Sequence, residues 1–318
     1  MTSWTWQSLS LDDAGWISEL MTRWRPHDPV DPVVLRHRWA NFRLDHVQGR
    51  WALRDAAGNV VGFGAANHAP WEREPGRIGD WDLNLAPEVR PQADGIIAAL
   101  EEWLRRDGAR AAAADAEGDE HWLLAALAAR RYEQVSAERF WKLDLLKRRD
   151  TLLELARESE AKVTSGGLAL LTFDRFLTRP QAWDKVIALY QETEADIPQN
   201  PGDHMLTPPE IVAELQAPDV RPDRVWLVVA GDDLAGLSFL SFPPIRGQVW
   251  TGYTATARRY RGRGAAWAAK MATLAQAIEL GVSEVRTGND ERNGPILRIN
   301  ERLGYELLPG WLRFRRPL

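Results

Sequence analysis

The 318 residues include no cysteine. Disulfides, a cysteine nucleophile, thiolate zinc sites and iron–sulfur clusters are therefore excluded. A basic excess is missing too: 40 Lys and Arg stand against 45 Asp and Glu, a net charge of −5. Nucleic acid and anionic membrane both reward a basic surface, so neither is expected as the main partner. No uninterrupted apolar run approaches the roughly 18 residues that span a bilayer. Met1-Thr2-Ser3-Trp4-Thr5-Trp6 lacks the basic and apolar regions of a signal peptide. A soluble, cytoplasmic protein is the expectation. The six histidines show no metal-ligand spacing and no Gly-x-Ser-x-Gly occurs, so no metal and no serine nucleophile are expected.

What is present is an ordinary globular balance, 45% hydrophobic and 27% charged. At roughly 150 residues per domain the chain is long enough for two. Its halves read as one pattern written twice. Strand-like Val225–Ala230 and Leu234–Phe242 flank Gly231-Asp232-Asp233, a hairpin signal. A β-rich stretch Gln248–Thr256 follows, then an Arg/Gly loop. A helix comes next, with Trp267, Met271, Leu274 and Ile278 on one face and Gly281 as its stop. A strand near Val285, a helix opened by Pro295 and two short strands complete the half. In the first half Trp51–Arg54 and Val60–Ala65 flank Gly58-Asn59, and a strand follows near Trp81–Leu85. A helix with Ile97, Leu100 and Leu104 then ends at Gly108, and a second helix leads to Tyr132, as its counterpart leads to Tyr305. Equivalent points lie about 171 to 174 residues apart. The spacing predicts two similar domains, 1–146 and 165–318, joined by a polar helix-like linker at 147–164. Each is an α/β (mixed α+β) domain, a twisted, mostly antiparallel sheet with helices on both faces. Such a pair mimics a dimer internally, so a monomer is expected.

The most informative segment is Arg258-Arg259-Tyr260-Arg261-Gly262-Arg263-Gly264-Ala265-Ala266. It lies between a strand and a helix, where backbone N–H groups without helical partners converge and the helix dipole favours an anion. Gly262 and Gly264 permit unusual dihedrals and remove Cβ atoms that would hold phosphate oxygens off. Hydrogen bonds to charged groups contribute about 1.5–3 kcal/mol each, so several amides could grip a pyrophosphate without a metal. Taken alone, the segment is also compatible with a surface turn or a short basic patch. Gly-x-x-x-x-Gly-Lys-Ser/Thr is absent, and the Gly-x-Gly-x-x-Gly spacing does not fit.

The loop resembles that of the GNAT superfamily of acyl-CoA-dependent N-acyltransferases, Arg/Gln-x-x-Gly-x-Gly/Ala, at Arg261, Gly264 and Ala266. The stretch Thr287–Pro295 followed by Asn300-Glu301-Arg302-Leu303-Gly304-Tyr305 is similar to the family's later motif. The resemblance covers about residues 165–316, and the tandem plan is similar to members of the mycothiol-synthase type. It implies an acetyl-CoA donor, no metal, and a small-molecule or peptide amine as acceptor. It further implies that Arg261, Gly262, Arg263, Gly264, Ala265 and Ala266 hold the pyrophosphate. Thr254, Ala255 and Thr256 would face the thioester and pantetheine, with the Thr254 N–H as oxyanion donor, and Asn289, Asn293 and Asn300 would contact the pantetheine arm.

Many relatives place a tyrosine acid where this chain has Asn300. Asparagine can donate to sulfur but releases no proton at neutral pH. The leaving thiolate is then served either by Asn300 with water or by Tyr253. Asn293 and Asn300, seven residues apart, are expected to share a helical face. Tyr305 reads as packing. The stretch Glu192-Thr193-Glu194-Ala195-Asp196, Glu194 foremost, and His204 beyond it supply candidate bases for the amine, any of which could act directly or through water, and a solvated acidic helix end is an equally open reading. In the first half Ala93 replaces the first required glycine, Pro91 removes an N–H and Asp94 adds negative charge. Ala116 and Glu120 stand where the second half has Asn289 and Asn293. That copy is expected to have lost acyl-CoA. Three functions remain in view: an N-acetyltransferase acting by direct attack in a ternary complex, a non-catalytic acyl-CoA sensor, and transfer from aminoacyl-tRNA, which the acidic charge and intact loop disfavour.

Overall fold

The structure, a computed structural model, describes residues 4–198 and 205–318, which leaves His204 outside the described residues. The chain forms two compact units. One takes the chain up to Arg139 together with Pro309–Leu318, and the other comprises Phe140–Pro198 and Met205–Leu308.

The first unit opens with β1 (Thr5–Ser8), α1 (Ala14–Trp24) and α2 (Pro32–Asn41). Asp31 caps α2 by accepting from the Val33 and Val34 amides at 2.8 and 3.1 Å. There follow β2 (Val47–Arg54), β3 (Val60–His68), β4 (Ile78–Leu85), α3 (Ala93–Arg106), β5 (Ala111–Glu117), α4 (His121–Ala129) and the start of β6 (Glu133–Asp144). Strands β1 to β4 are antiparallel neighbours, and β4 pairs with β5 in parallel. Ile96, Ile97, Leu100 and Leu104 of α3 are buried with Leu53, Leu83 and Leu85, the burial that a 3.6-residue apolar period demands.

The second unit holds α5 (Arg149–Ser165), β7 (Ala169–Thr172), α6 (Phe173–Phe176), α7 (Ala182–Glu194) and α8 (Pro208–Leu215). Then come β8 (Val225–Ala230), β9 (Asp233–Ser241), β10 (Trp250–Thr256), α9 (Ala265–Glu279), β11 (Glu284–Asp290), α10 (Gly294–Leu303) and β12 (Glu306–Leu308). Strands β7 to β10 are antiparallel and β10 meets β11 in parallel, so the mixed α/β layering repeats. Ala265, Ala268 and Ala269 let the start of α9 lie close on the sheet, and Met271, Leu274 and Ile278 bury its remaining turns. Among the described residues no helix is long and apolar enough to cross a membrane.

Two boundaries differ from the sequence-based expectation. The polar linker is helix α5, and it belongs to the second unit: Leu152 and Val163 are buried in that unit's cores. The final strand, β13 (Trp311–Pro317), is built into the first unit, where it pairs with β5 along its whole length and with Glu133–Ala137 of β6. Charge complementarity favours this seat. Arg313 bonds Asp80 at 2.5 Å and Asp115 at 3.0 Å. Within the second unit β12 pairs with Phe140, Trp141 and Lys142 of β6.

Gly252 carries a local constraint on the second unit. The β9–β10 register slips between Thr251 and Tyr253, a bulge, and a Cβ on Gly252 would stand 2.0 Å from the ring of buried Phe239. Gly252→Ala is expected to lower stability by about 1–3 kcal/mol, because the overpacked ring must move. Chemical denaturation would check this, and an unchanged midpoint would contradict it.

Candidate acyl-donor site

Strands β10 and β11 pair only at Trp250↔Arg286, with the Arg286 amide donating to Val249 at 2.8 Å. Beyond that point they separate, so Thr251–Thr256 keep β9 on one side and open on the other. Chain connectivity then leads from β10 through a short 3-10 turn, Arg258–Tyr260, into the loop and α9.

Gly262 and Gly264 sit at φ +76° and +85°, left-handed conformations that a Cβ disfavours. Space around both is open: apart from chain neighbours, no atom of the described residues lies within 4 Å of a Cβ built on Gly262, and the nearest to one on Gly264 is Val163 at 3.8 Å. The amides of Gly262, Gly264 and Ala265 have no partner among the described residues. The Ala266 amide is different, since it donates to the Thr256 hydroxyl at 2.9 Å. The loop thus presents three unsatisfied donors at the N-terminus of a 15-residue helix.

The remaining candidate residues fall in three groups. The hydroxyl of Thr254 lies 2.9 Å from that of Ser238, and Ala255 is buried. Asn300 is fully buried and donates to the Asn289 side chain at 2.8 Å, while its side-chain oxygen has no partner among the described residues. Asn293 precedes α10 as its N-cap, so the expected shared helical face for Asn293 and Asn300 is corrected: only Asn300 is on the helix proper. The third group surrounds Tyr253. Its hydroxyl is 2.9 Å from that of Thr193, and its ring stacks on Tyr190 at 4.5 Å. Burial raises the phenols of Tyr253 and Tyr190, and the nearby Glu194 and Glu214 carboxylates push both the same way. Glu194 also accepts from the Leu206 amide at 3.5 Å. Tyr190, Thr193 and Glu214 were not picked out from the sequence. A signal did exist for the first two, since Tyr190 and Thr193 are three apart and share a face of α7.

Tyr305 is buried in the core, and the Lys270 ammonium lies 5.4 Å from its ring centroid. Among the described residues no group of three or more His, Asp or Glu is arranged to hold a metal ion.

The corresponding stretch of the first unit is built differently. Between β4 and α3 lies a 3-10 turn, Pro87–Gln92, with no positive-φ glycine. Arg90 is spent inside the unit, on the Leu85 and Trp24 carbonyls and over the Trp122 ring. Strands β4 and β5 pair from Ile78↔Ala111 to Asp80↔Ala113 and then part. Beyond that point stand Asp82, Asp115 and Glu120, all raised by loss of hydration, with Arg25 and Arg313 as counter-charges. Carboxylates in that opening oppose a polyanionic cofactor.

Among solved structures, this chain aligns with a tandem GNAT protein from the clavulanic acid biosynthesis pathway. The TM-score is 0.75 at 18% identity, over 99% of this chain and 98% of the other. It aligns with a GCN5-related N-acetyltransferase from Sphaerobacter thermophilus at TM-score 0.65 and 16% identity, over 99% and 95%. FemX aligns at 0.61 and 13%, over 99% and 97%. No protein-family profile matches the sequence, and no curated protein does. At these identities the likeness is one of fold: the chain has the tandem GNAT fold.

Proposed function

We propose that the second unit binds an acyl-CoA and transfers its acyl group, acetyl first among the candidates, to a primary amine of a small molecule or peptide. The observation that carries this reading is the strand–turn–helix loop in which Gly262 and Gly264 adopt positive φ and three amides stand unpartnered. A diphosphate satisfies such donors, and the helix dipole adds to the attraction. The opening between β10 and β11 gives the thioester a place beside main-chain donors of β10, with the Thr254 amide assigned to the oxyanion.

On this reading Tyr253 serves the leaving thiolate. Its phenol, held above its ordinary value, stays protonated at neutral pH and is a hydrogen-bond donor there. Asn300 is the weaker candidate because a carboxamide releases no proton at neutral pH, and one of its two N–H donors is already given to Asn289. Glu194 is assigned to the amine, as base or as counter-charge. With Glu214 nearby, the α7 end of the site is acidic and suits an ammonium group. Attack occurs directly in a ternary complex, the neutral amine adding to the thioester carbonyl and expelling CoA thiolate.

Calorimetry with acetyl-CoA, followed by CoA release across a panel of amines, tests the reading. Binding plus amine-dependent release supports it. Binding with no release from any amine would favour the acyl-CoA sensor, and no heat with acetyl-CoA or a longer thioester would end both. A further expectation concerns stoichiometry. The first unit lacks the glycine pair and carries carboxylates in its opening, so one acetyl-CoA should bind per chain. Two equivalent sites would contradict this.

A further inference from the structure

The phosphate loop is crowded with cations, and each is held by the protein itself. Arg258 forms a bidentate pair with Asp196, at 2.9 and 2.5 Å. Arg261 donates to the same carboxylate. The backbone amide of Arg258 donates to Glu192. Arg259 pairs with Asp233 at 3.2 Å, and Arg263 donates to the Gly166 carbonyl at 2.8 Å. One carboxylate, Asp196, therefore bridges the two arginines that open the loop leading to the free amides of Gly262, Gly264 and Ala265.

That carboxylate lies just past the end of α7, whose last turn builds the acceptor side. The Asp196 amide donates to the Thr193 carbonyl at 3.1 Å, and the Thr193 hydroxyl meets that of Tyr253 at 2.9 Å. Glu194, two residues earlier, receives the Leu206 amide. The segment that neutralises the loop arginines thus also positions the groups assigned to the amine and the thiolate.

We infer that Asp196 is a resident anion in the donor loop, which the diphosphate of acyl-CoA displaces from Arg258 and Arg261, so that loading the donor releases the end of α7 for the amine. The inference rests on the acyl-CoA reading of the same loop. Its chemistry is a competition. A carboxylate shared between two guanidiniums gives each only part of one negative charge, whereas a diphosphate offers more charge and a bidentate edge. Hydrogen bonds from both arginines hold the Asp196 carboxyl well below its ordinary range, so it stays ionised as a competitor throughout the neutral range. Asp196 acts through Arg258 and Arg261 and touches no reacting atom, which makes it a positioning residue. A donor-first binding order follows, because the amine end is released only once the arginines change partner.

Asp196→Asn keeps the shape and removes the charge. It is expected to tighten acetyl-CoA binding three- to tenfold in calorimetry at low salt, with the gain shrinking at high salt as the competing charges are screened. Asp196→Ala should move affinity in the same direction. Steady-state patterns should show acetyl-CoA binding first in wild type and a less strict order in Asp196→Asn. A brace that pre-shapes the loop predicts the opposite sign. Weakened or unchanged affinity in both variants, with unfolding temperatures near wild type, would overturn the inference while leaving the acyl-CoA reading intact. No wild-type binding at all would remove both.

Discussion

Glutamate in place of Gly264 is expected to weaken acetyl-CoA binding by at least about 100-fold, read by calorimetry, and to abolish amine-dependent CoA release. Three effects act together. The carboxylate would compete for the unpartnered amides of Gly262 and Ala265 and for the positive end of α9, each charged hydrogen bond contributing about 1.5–3 kcal/mol. It would also repel the diphosphate at close range. Any Cβ at φ +85° pays roughly 1–2 kcal/mol for the left-handed conformation. Room for the side chain exists, since the nearest atom to a Cβ there is 3.8 Å away, so the variant should fold. Gly264→Ala separates these causes. It keeps the strain and loses the charge, and should cost about tenfold or less. Near wild-type affinity in the glutamate variant would mean that the loop is not where the cofactor's phosphates lie.

The largest change in stability is expected at Lys270. This residue is 1% exposed in the middle of α9, and its ammonium has no hydrogen-bond partner among the described residues. The Tyr305 ring offers only a cation–π contact at 5.4 Å. Burial pushes the amine down to about 8 from its usual 10.5. Below pH 8 the folded protein carries a charge it cannot hydrate, a penalty of roughly 3 kcal/mol by the usual 1.36 kcal/mol per pKa unit. Between pH 8 and 10.5 the unfolded chain holds the proton and the folded chain does not. Stability therefore rises with pH across that window. Lys270→Met, which keeps the length and drops the charge, should be more stable than wild type by about 2–3 kcal/mol at pH 7, with the difference fading towards pH 10.5. Denaturation curves of the two proteins across pH give this difference directly. A methionine variant less stable at pH 7 would show that the ammonium is satisfied.

The two positions differ in how readable they are. Gly264 announces itself because two glycines at a strand-to-helix turn are a local signal, and the dihedral they permit is a property of their own backbone. Lys270 is silent in sequence. It stands one residue before Met271 on a helix whose alanine-rich face hides how wide the buried arc is, and only the packing against Tyr305 reveals that the arc includes it. Asn300 lies between these cases. Its place near the end of the last helix is legible, but its bond to Asn289 joins α10 to β11 across 11 residues and depends on how the helix is seated.

By itself, the sequence determined the duplicated order of strands and helices, the mixed α/β class, the glycine loop before α9, and the loss of that loop from the first half. All of these rest on period, glycine and proline placement, and charge within a few residues, which act before the chain has folded. Tertiary structure alone decided that β13 completes the first unit, since alternation names a strand without naming its neighbour. It also decided that Tyr253 stacks on Tyr190 and that Asp196 reaches Arg258 and Arg261 from 62 and 65 residues away. Those contacts have no local cause: they exist because packing the apolar faces of the helices and strands brings distant polar groups within hydrogen-bond range.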